Sequence, residues 1–205
     1  MVRKLPFIAV VIFALSAAAQ SSLPAIPTER ATDSYSIYSL LMPGQPFSSM
    51  SPSQTVRWAI AKETVNITDM NPAIPPDGQL TPPPDNPGGF EEALQDYESR
   101  KYERFRLETT HFHLSHAFSL LNEEQVSELR EARSSTTATS DLKARYAGYP
   151  GVTFFSAVYY NDARTAALVF MNNWCANLCA AGQWVYLEKQ GGHWVRRSGI
   201  SRGGA

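Results

Sequence analysis

Apolar and aromatic residues cluster in short runs in the last quarter of the chain. One run covers residues 152–160, a second covers residues 165–171, and the polar residues 161–164 between them form a turn sequence. β-Branched and aromatic residues favour extended structure, so both runs predict strands. A short turn between neighbouring strands indicates antiparallel pairing.

Residues 183–189 predict a third strand, in which Trp184, Tyr186 and Glu188 lie on one face and Val185 and Leu187 on the other. A Gln-Gly-Gly turn at residues 190–192 then leads into a last strand at residues 193–197. The aromatic face has two possible uses: core packing, which is the commoner one, or an exposed surface that stacks a sugar or binds a peptide. The successive strands predict an antiparallel β-meander.

Helical spacing of apolar residues predicts three helices earlier in the chain. Asp33 or Ser34 can cap a short first helix, and residues 90–104 carry a rough apolar stripe. A third helix begins at Asn122, which is followed by the acidic and amide residues of a reciprocal N-terminal cap, and ends near Arg133.

Two further segments complete the predicted architecture. Alternation over residues 55–65 predicts a half-buried strand, whereas residues 71–89 contain seven prolines and predict an extended surface loop. Residues 105–114 are mixed and can enter a strand. Helices early and strands late predict an α+β fold, with the β-meander at the C-terminus and two or three helices packed on one face of the sheet.

The first nineteen of the 205 residues have the order of a secretory signal peptide. Arg3 and Lys4 precede an apolar run at residues 5–15, and small residues follow up to Ala19. An uncleaved anchor would need about 20 apolar residues, so cleavage after Ala19 is predicted. The predicted location is the periplasm or the exterior of the cell. Residues 20–32 are then a flexible leader before one domain at residues 33–205.

The charge balance disfavours nucleic-acid binding. The full chain has 18 Lys and Arg against 19 Asp and Glu, a formal net charge of −1. Loss of Arg3 and Lys4 with the signal peptide leaves a formal charge of −3. Such a chain offers no broad basic field for a phosphate backbone. The mature sequence contains no segment long enough to span a membrane, so no membrane span is predicted.

The two cysteines are Cys175 and Cys179, in the link between two predicted strands. In an exported protein this spacing predicts a local disulfide, because a compact turn can bring the Cα atoms within bridging range. The alternative is a redox-active pair, but the usual C-x-x-C motif at a helix start is missing.

The histidines His111, His113 and His116 form an H-x-H-x-x-H cluster. On a strand the first two would share a face and could ligate zinc or copper. The alternatives are a merely polar strand face, or a secreted hydrolase that pairs His111 or His113 with an acid such as Asp96 or Glu108.

Several motifs of catalysis and cofactor binding are missing from the sequence. It contains no G-x-S-x-G nucleophile elbow, no P-loop and no dinucleotide-binding glycine pattern. No cofactor is predicted. The leading hypothesis is a non-enzymatic binding or structural domain of the cell envelope or exterior, whose partner would be an envelope protein or a glycan.

Two blocks of sequence carry a resemblance to other proteins. The first comprises residues 92–97, 105–107 and 119–124, and the second comprises residues 149–151, 155–162, 165–169, 175–179, 182 and 192–195. These blocks resemble a group of uncharacterised exported bacterial proteins that share a C-terminal β-meander with a C-x-x-x-C loop. The group has glycines where this chain has Ala176 and Ala180. The resemblance implies export and the meander, and no activity.

Overall fold

The structure is a computed structural model that describes residues 23–42, 56–176 and 180–197. The α-helices of these residues are α1 (Thr28–Leu41), α2 (Pro76–Gln79), α3 (Pro87–Arg100), α4 (Glu123–Ser134) and α5 (Ser140–Tyr146). The strands are β1 (Trp58–Ala61), β2 (Phe118–Leu121), β3 (Val152–Phe155), β4 (Tyr159–Tyr160), β5 (Ala166–Trp174), β6 (Ala180–Gln190) and β7 (His193–Arg196). The predicted α+β class is confirmed.

The predicted signal peptide, residues 1–19, lies outside the described residues. Within the described ranges, no helix has both the length and the apolar character needed to cross a membrane.

The seven strands form one sheet in the order β2-β1-β3-β5-β6-β7, with β4 paired to β5. Strands β5, β6 and β7 follow one another as an antiparallel meander, as predicted. The run predicted as one strand at residues 152–160 is divided into β3 and β4. Ser156 separates them, because its hydroxyl accepts from the Phe170 N–H and donates to the Ala157 carbonyl.

Strand β1 differs from the half-buried strand predicted at residues 55–65. All four of its residues are buried, and it lies between β2 and β3 with parallel pairing to both. Trp58 and Ile60 belong to the main core, whereas Ala59 and Ala61 belong to a second cluster with α4. A central parallel strand is covered on both faces, so alternation of large and small residues here does not mean alternation of buried and exposed ones.

Helices cover both faces of the sheet. On one face, here called the α3 face, Tyr97 and Phe90 of α3 contact Trp184 and Tyr186 at ring-centroid distances of 5.2 and 5.4 Å. Helix α4 packs on the same face beside β1, so two of the three predicted helices share this face.

Helix α1 covers the opposite face, which the sequence did not indicate. Tyr38 stacks on Phe155 at 4.7 Å, and the indole N–H of Trp194 donates to Asp33 at 2.9 Å. The helix begins at Thr28, directly after Pro27, and not at the predicted caps. Asp33 is therefore not a capping residue but a partner of the sheet. Part of the predicted flexible leader is helical.

The proline-rich region 71–89 is not only an extended loop. It contains α2 and the first residues of α3. Both helices have a proline at N1 or N2, where the missing N–H costs nothing because the first N–H groups of a helix have no partner within it. The reciprocal cap of α4 at Asn122 and Gln125 is confirmed. Helix α5 was not predicted.

The buried tyrosines predict loss of stability in alkaline solution. Burial raises the pKa of Tyr97 to about 12, and burial together with a hydrogen bond to Glu128 raises the pKa of Tyr146 to about 12. Burial also raises the pKa of Tyr159 and Tyr186. The folded protein keeps these protons, whereas the unfolded chain loses them near pH 10.

Thermal unfolding followed between pH about 8 and about 11 should therefore show a Tm that is nearly constant at first and falls above pH about 10. The variant Tyr97→Phe removes one of the titrating groups and should show a shallower fall. An equally steep fall in wild type and variant would contradict the assignment of Tyr97.

Candidate functional site

A groove of about 680 Å³ opens on the α3 face, between α4 and the segment 69–79. It starts beside the carboxyl ends of the parallel strands β1 and β2 and extends over β3, β5 and β6. We call it the central groove. Its lining residues are Ala61, Lys62, Glu63, Val65, Asp69, Met70, Asn71, Pro72, Ile74, Gln79, Arg104, Leu121, Glu123, Val126, Ser127, Arg130, Phe154, Phe170, Asn172, Ala180 and Gly182.

A row of three residues crosses the floor of the central groove. Phe154 of β3 pairs with Asn172 of β5, which pairs with Gly182 of β6. A Cβ atom at Gly182 would lie 2.6 Å from the Cζ atom of Phe170. The glycine therefore leaves room for the Phe170 ring in the floor.

Arg130 of α4 lies over this floor with its side chain exposed to solvent. Its guanidinium carbon is 5.2 Å from the centre of the Phe154 ring and 5.5 Å from that of Trp174. Cation–π contacts of this kind hold the guanidinium in place. Its side chain makes no ion pair or hydrogen bond within the described part of the chain, so its N–H groups are available to a ligand.

Asn172 provides a second group without a partner. Its Oδ1 atom is buried and makes no hydrogen bond to the described residues. A buried acceptor left without a hydrogen bond costs about 1–3 kcal/mol. The atom is closed off from solvent, so a ligand in the groove would reach it only after the Asn172 side chain had rotated.

The other end of the central groove is closed by ion pairs. Arg104 approaches Glu63 at 3.3 Å and Asp69 at 3.9 Å, and its Nε donates to the Thr64 carbonyl at 3.0 Å. These contacts neutralise two of the acids that line the groove. Three cations and three acids line it in total, so the groove has no strong net charge.

A second, smaller cavity of about 480 Å³ lies between α1, α3 and the turn after β4. Asp96 is at its centre. Its carboxylate accepts from Arg30 at 2.8 and 3.1 Å and from the Tyr160 N–H at 2.8 Å, and it lies 3.6 Å from Arg100. We call these four residues the Asp96 cluster. Both carboxylate oxygens of Asp96 have partners within the protein. These partners belong to α1, α3 and β4, so the Asp96 cluster joins three elements of the fold.

The predicted metal ligands are not on a strand. His111 ends a 3-10 helix, stacks on Tyr35 at 4.9 Å and lies 3.4 Å from Glu108, while His113 and His116 are exposed after it. Among the residues that the structure describes, no group of three or more His, Cys, Asp or Glu side chains could hold a metal ion. The geometry does not support the metal hypothesis.

The predicted hydrolase pairs are only partly brought together. His111 is beside Glu108, but Asp96 is held in the Asp96 cluster. In the described ranges no serine or threonine hydroxyl is hydrogen bonded to the ring of His111 or of His113. The backbone N–H of His113 donates to the Ser39 hydroxyl, but this bond does not involve the imidazole ring.

Trp184 and Tyr186 do not form the exposed binding face that was one of their two predicted uses. Both side chains are almost fully buried, with 2% and 1% of their surface exposed. Their polar atoms are used within the fold: the Trp184 indole donates to the Ile74 carbonyl, and the Tyr186 hydroxyl donates to Glu188. Helix α3 covers this face, so these aromatics are core residues.

Cys179 lies outside the described residues, so the disulfide between Cys175 and Cys179 stays a prediction. The register of the surrounding hairpin is compatible with it. Trp174 is paired with Ala180, and these are the residues that directly flank the two cysteines.

No protein-family model, curated protein or solved structure matches this chain. The central groove is the candidate functional site of the described residues. Sequence reasoning missed its key residues, Arg130, Phe154 and Asn172. One signal existed: Arg130 follows the buried Val126 by one helical turn, so it lies next to the buried stripe of α4 although its own side chain is exposed.

Proposed function

We propose that the protein is an exported, non-enzymatic binding protein whose central groove holds a small organic ligand. The observation that carries the proposal is the position of Arg130, which lies over the aromatic floor of the groove without an ion pair to any described residue. Arg130 has no ionic partner and Asn172 has no hydrogen-bond partner among the described residues.

The groove has a mixed lining in which polar and charged side chains predominate, while Phe154, Phe170 and Val126 add apolar surface. Convergent polar groups in a concave site fix the orientation of a ligand. The volume is within the range of about 300–1,000 Å³ that such sites have.

Binding is favoured over hydrolysis by the groove's own side chains. The only hydroxyl among its lining residues is that of Ser127, and no histidine lines it. A nucleophile needs a neighbouring base for activation. The alternative of a secreted hydrolase would depend on His111 and Glu108, which lie outside the groove.

The location remains part of the proposal. The N-terminal order of cations, apolar run and small residues supports export, as does the resemblance to uncharacterised exported bacterial proteins. A binding protein outside the cytoplasm would meet peptides, glycans and small acids of the envelope or the medium.

A substitution that fills the groove tests this function. Ser127 is exposed on α4 and lines the groove, so Ser127→Trp should block the site without disturbing the core. Saturation-transfer NMR would screen amino acids, N-acylated peptides and oligosaccharides against both proteins. We expect at least one compound class to bind wild type and to lose about tenfold or more in affinity with the variant.

The matched control is Ser140→Trp, at an exposed position on α5 outside the groove. It should bind like wild type. A screen in which no compound separates wild type from Ser127→Trp would overturn the proposed function.

A further inference from the structure

We infer that residues 71–79 form a hinged strap over the central groove, which opens to admit a ligand and is latched shut by Trp184. The inference rests on the proposed function, because the groove needs an entrance only if it holds a ligand. The motion itself depends on contacts that the strap makes without any ligand, so it can be measured on the protein alone.

The strap is the wall of the central groove that faces α4. Four of its residues line the groove from this side: Asn71, Pro72, Ile74 and Gln79. The opposite wall is fixed, because Val126 and Leu129 of α4 are buried in the cluster that this helix forms with β1. The width of the groove therefore depends on the strap.

Few bonds hold the strap to the rest of the described chain. Its backbone–backbone hydrogen bonds are local, since the N–H groups of Ile74, Gly78 and Leu80 donate to carbonyls two to four residues earlier. Pro76 is the one buried residue within it, whereas Met70 and Leu80 at its two ends are both buried. Segments with few long-range contacts open locally at a lower free energy than the whole fold.

Trp184 makes both of the hydrogen bonds that join the strap to the sheet among the described residues. Its indole N–H donates to the Ile74 carbonyl at 2.8 Å, and its backbone N–H donates to Oε1 of Gln79 at 3.0 Å. The indole cannot follow the strap, because its ring contacts those of Tyr97 and Phe170 at centroid distances of 5.2 and 5.5 Å. Opening therefore breaks two hydrogen bonds to one fixed residue.

The strap is stiff enough to move as one body. Its three prolines fix three φ angles. Gly78 lets Ile74 pack closely against it, since a Cβ atom at Gly78 would lie 2.8 Å from the Cγ2 atom of Ile74. In lids of this kind a few residues at the ends absorb the change in φ and ψ. We place these hinges at Met70 and Leu80.

The two N–H hydrogens of Trp184 report the opening directly. Hydrogen exchange followed by NMR on the ligand-free protein gives a protection factor for each. The reference is the N–H of Val185, which faces β5: the Lys189 N–H donates to the Thr165 carbonyl, and the two-residue alternation of an antiparallel pair gives Val185 the same orientation. We expect similar protection of both Trp184 hydrogens, at least about tenfold lower than that of Val185.

The variant Gln79→Ala tests the latch. It removes the acceptor of the Trp184 backbone N–H and leaves the Ile74 carbonyl in place for the indole N–H. If the strap opens as one body, the protection of the indole N–H should still fall about fivefold, the effect of losing one hydrogen bond. The matched control is Gln95→Ala, at an exposed position of α3 outside the strap, which should change neither hydrogen.

Protection of both Trp184 hydrogens as high as that of Val185 would overturn the inference, because the strap would then open only together with the sheet. An unchanged indole N–H in Gln79→Ala would overturn it as well. The wild-type comparison decides even where the variant does not fold. Failure here is distinct from failure of the proposed function: compounds that bind wild type and not Ser127→Trp behind a fixed wall would refute the strap alone.

Discussion

Replacing Gly151 with alanine should lower the free energy of unfolding by about 3 kcal/mol. Gly151 precedes β3, and a Cβ atom there would lie 2.1 Å from the Trp174 carbonyl oxygen and 2.9 Å from the Cα atom of Cys175. Both are backbone atoms of the facing strand and its continuation, so no side-chain rotation can relieve the contact. The strands β3 and β5 would have to separate where their ladder ends.

Urea denaturation at neutral pH measures this effect. The control is Gly88→Ala in α3, where a Cβ atom would meet nothing within 4 Å. Alanine is the better helix former, so this variant should be unchanged or more stable by up to about 1 kcal/mol. Similar stability of the two variants would show that the close approach at Gly151 is not a constraint.

Replacing Asp96 with alanine should destabilise the protein by about 3 kcal/mol, because it leaves two half-buried arginines without their shared carboxylate. Arg30 and Arg100 both lose their ion pair with it, and the Tyr160 N–H loses its acceptor. The cluster joins α1, α3 and β4, so its loss affects both faces of the sheet. Thermal and urea unfolding would report it.

Two comparisons make the test specific. Asp96→Asn keeps an acceptor for the Tyr160 N–H and removes only the charge, so its loss should be smaller. Glu98→Ala removes an exposed acid of the same helix, whose ion pair with Lys101 lies at the surface, and should cost no more than about 0.5 kcal/mol. A loss for Asp96→Ala as small as that for Glu98→Ala would refute the assigned role.

The sequence predicted those parts of the fold that depend on neighbouring residues. The hairpin turn at Gly191 and Gly192 is one example, because both residues have positive φ angles that glycine adopts without strain. The cap at Asn122 is another, since its partners lie within one turn of helix. Each of these features is decided by a few consecutive residues.

The position of β1 could not be predicted in this way. Its burial on both faces depends on β2, β3 and α4, which come much later in the chain. The same holds for Trp184, whose face would be exposed in an isolated meander. It is buried because α3 packs over it. Tertiary contacts, rather than local pattern, decide which face of a strand meets solvent.

The candidate site was hidden for the same reason. Arg130, Phe154 and Asn172 come from α4, β3 and β5, and no fixed spacing joins them. The histidines, in contrast, are close in sequence, but only His111 belongs to the 3-10 turn, and His113 and His116 follow it as exposed residues. Their proximity in sequence predicted a metal site, whereas no group of three or more His, Cys, Asp or Glu side chains among the described residues could hold a metal ion.

The central position of β1 has a consequence for the order of folding. Trp58 pairs with Phe118 and Ala59 pairs with Val152, so the middle of the sheet cannot form until residues 152–155 are available. The hairpins of β5, β6 and β7 need only local contacts and can form early. Pairings over such long separations are slow, because loop closure is costly before the contacts form. Residues 58–155 must therefore all be available before the middle of the sheet can form. Such late completion of the sheet suits a protein that, under the proposed export, crosses a membrane unfolded.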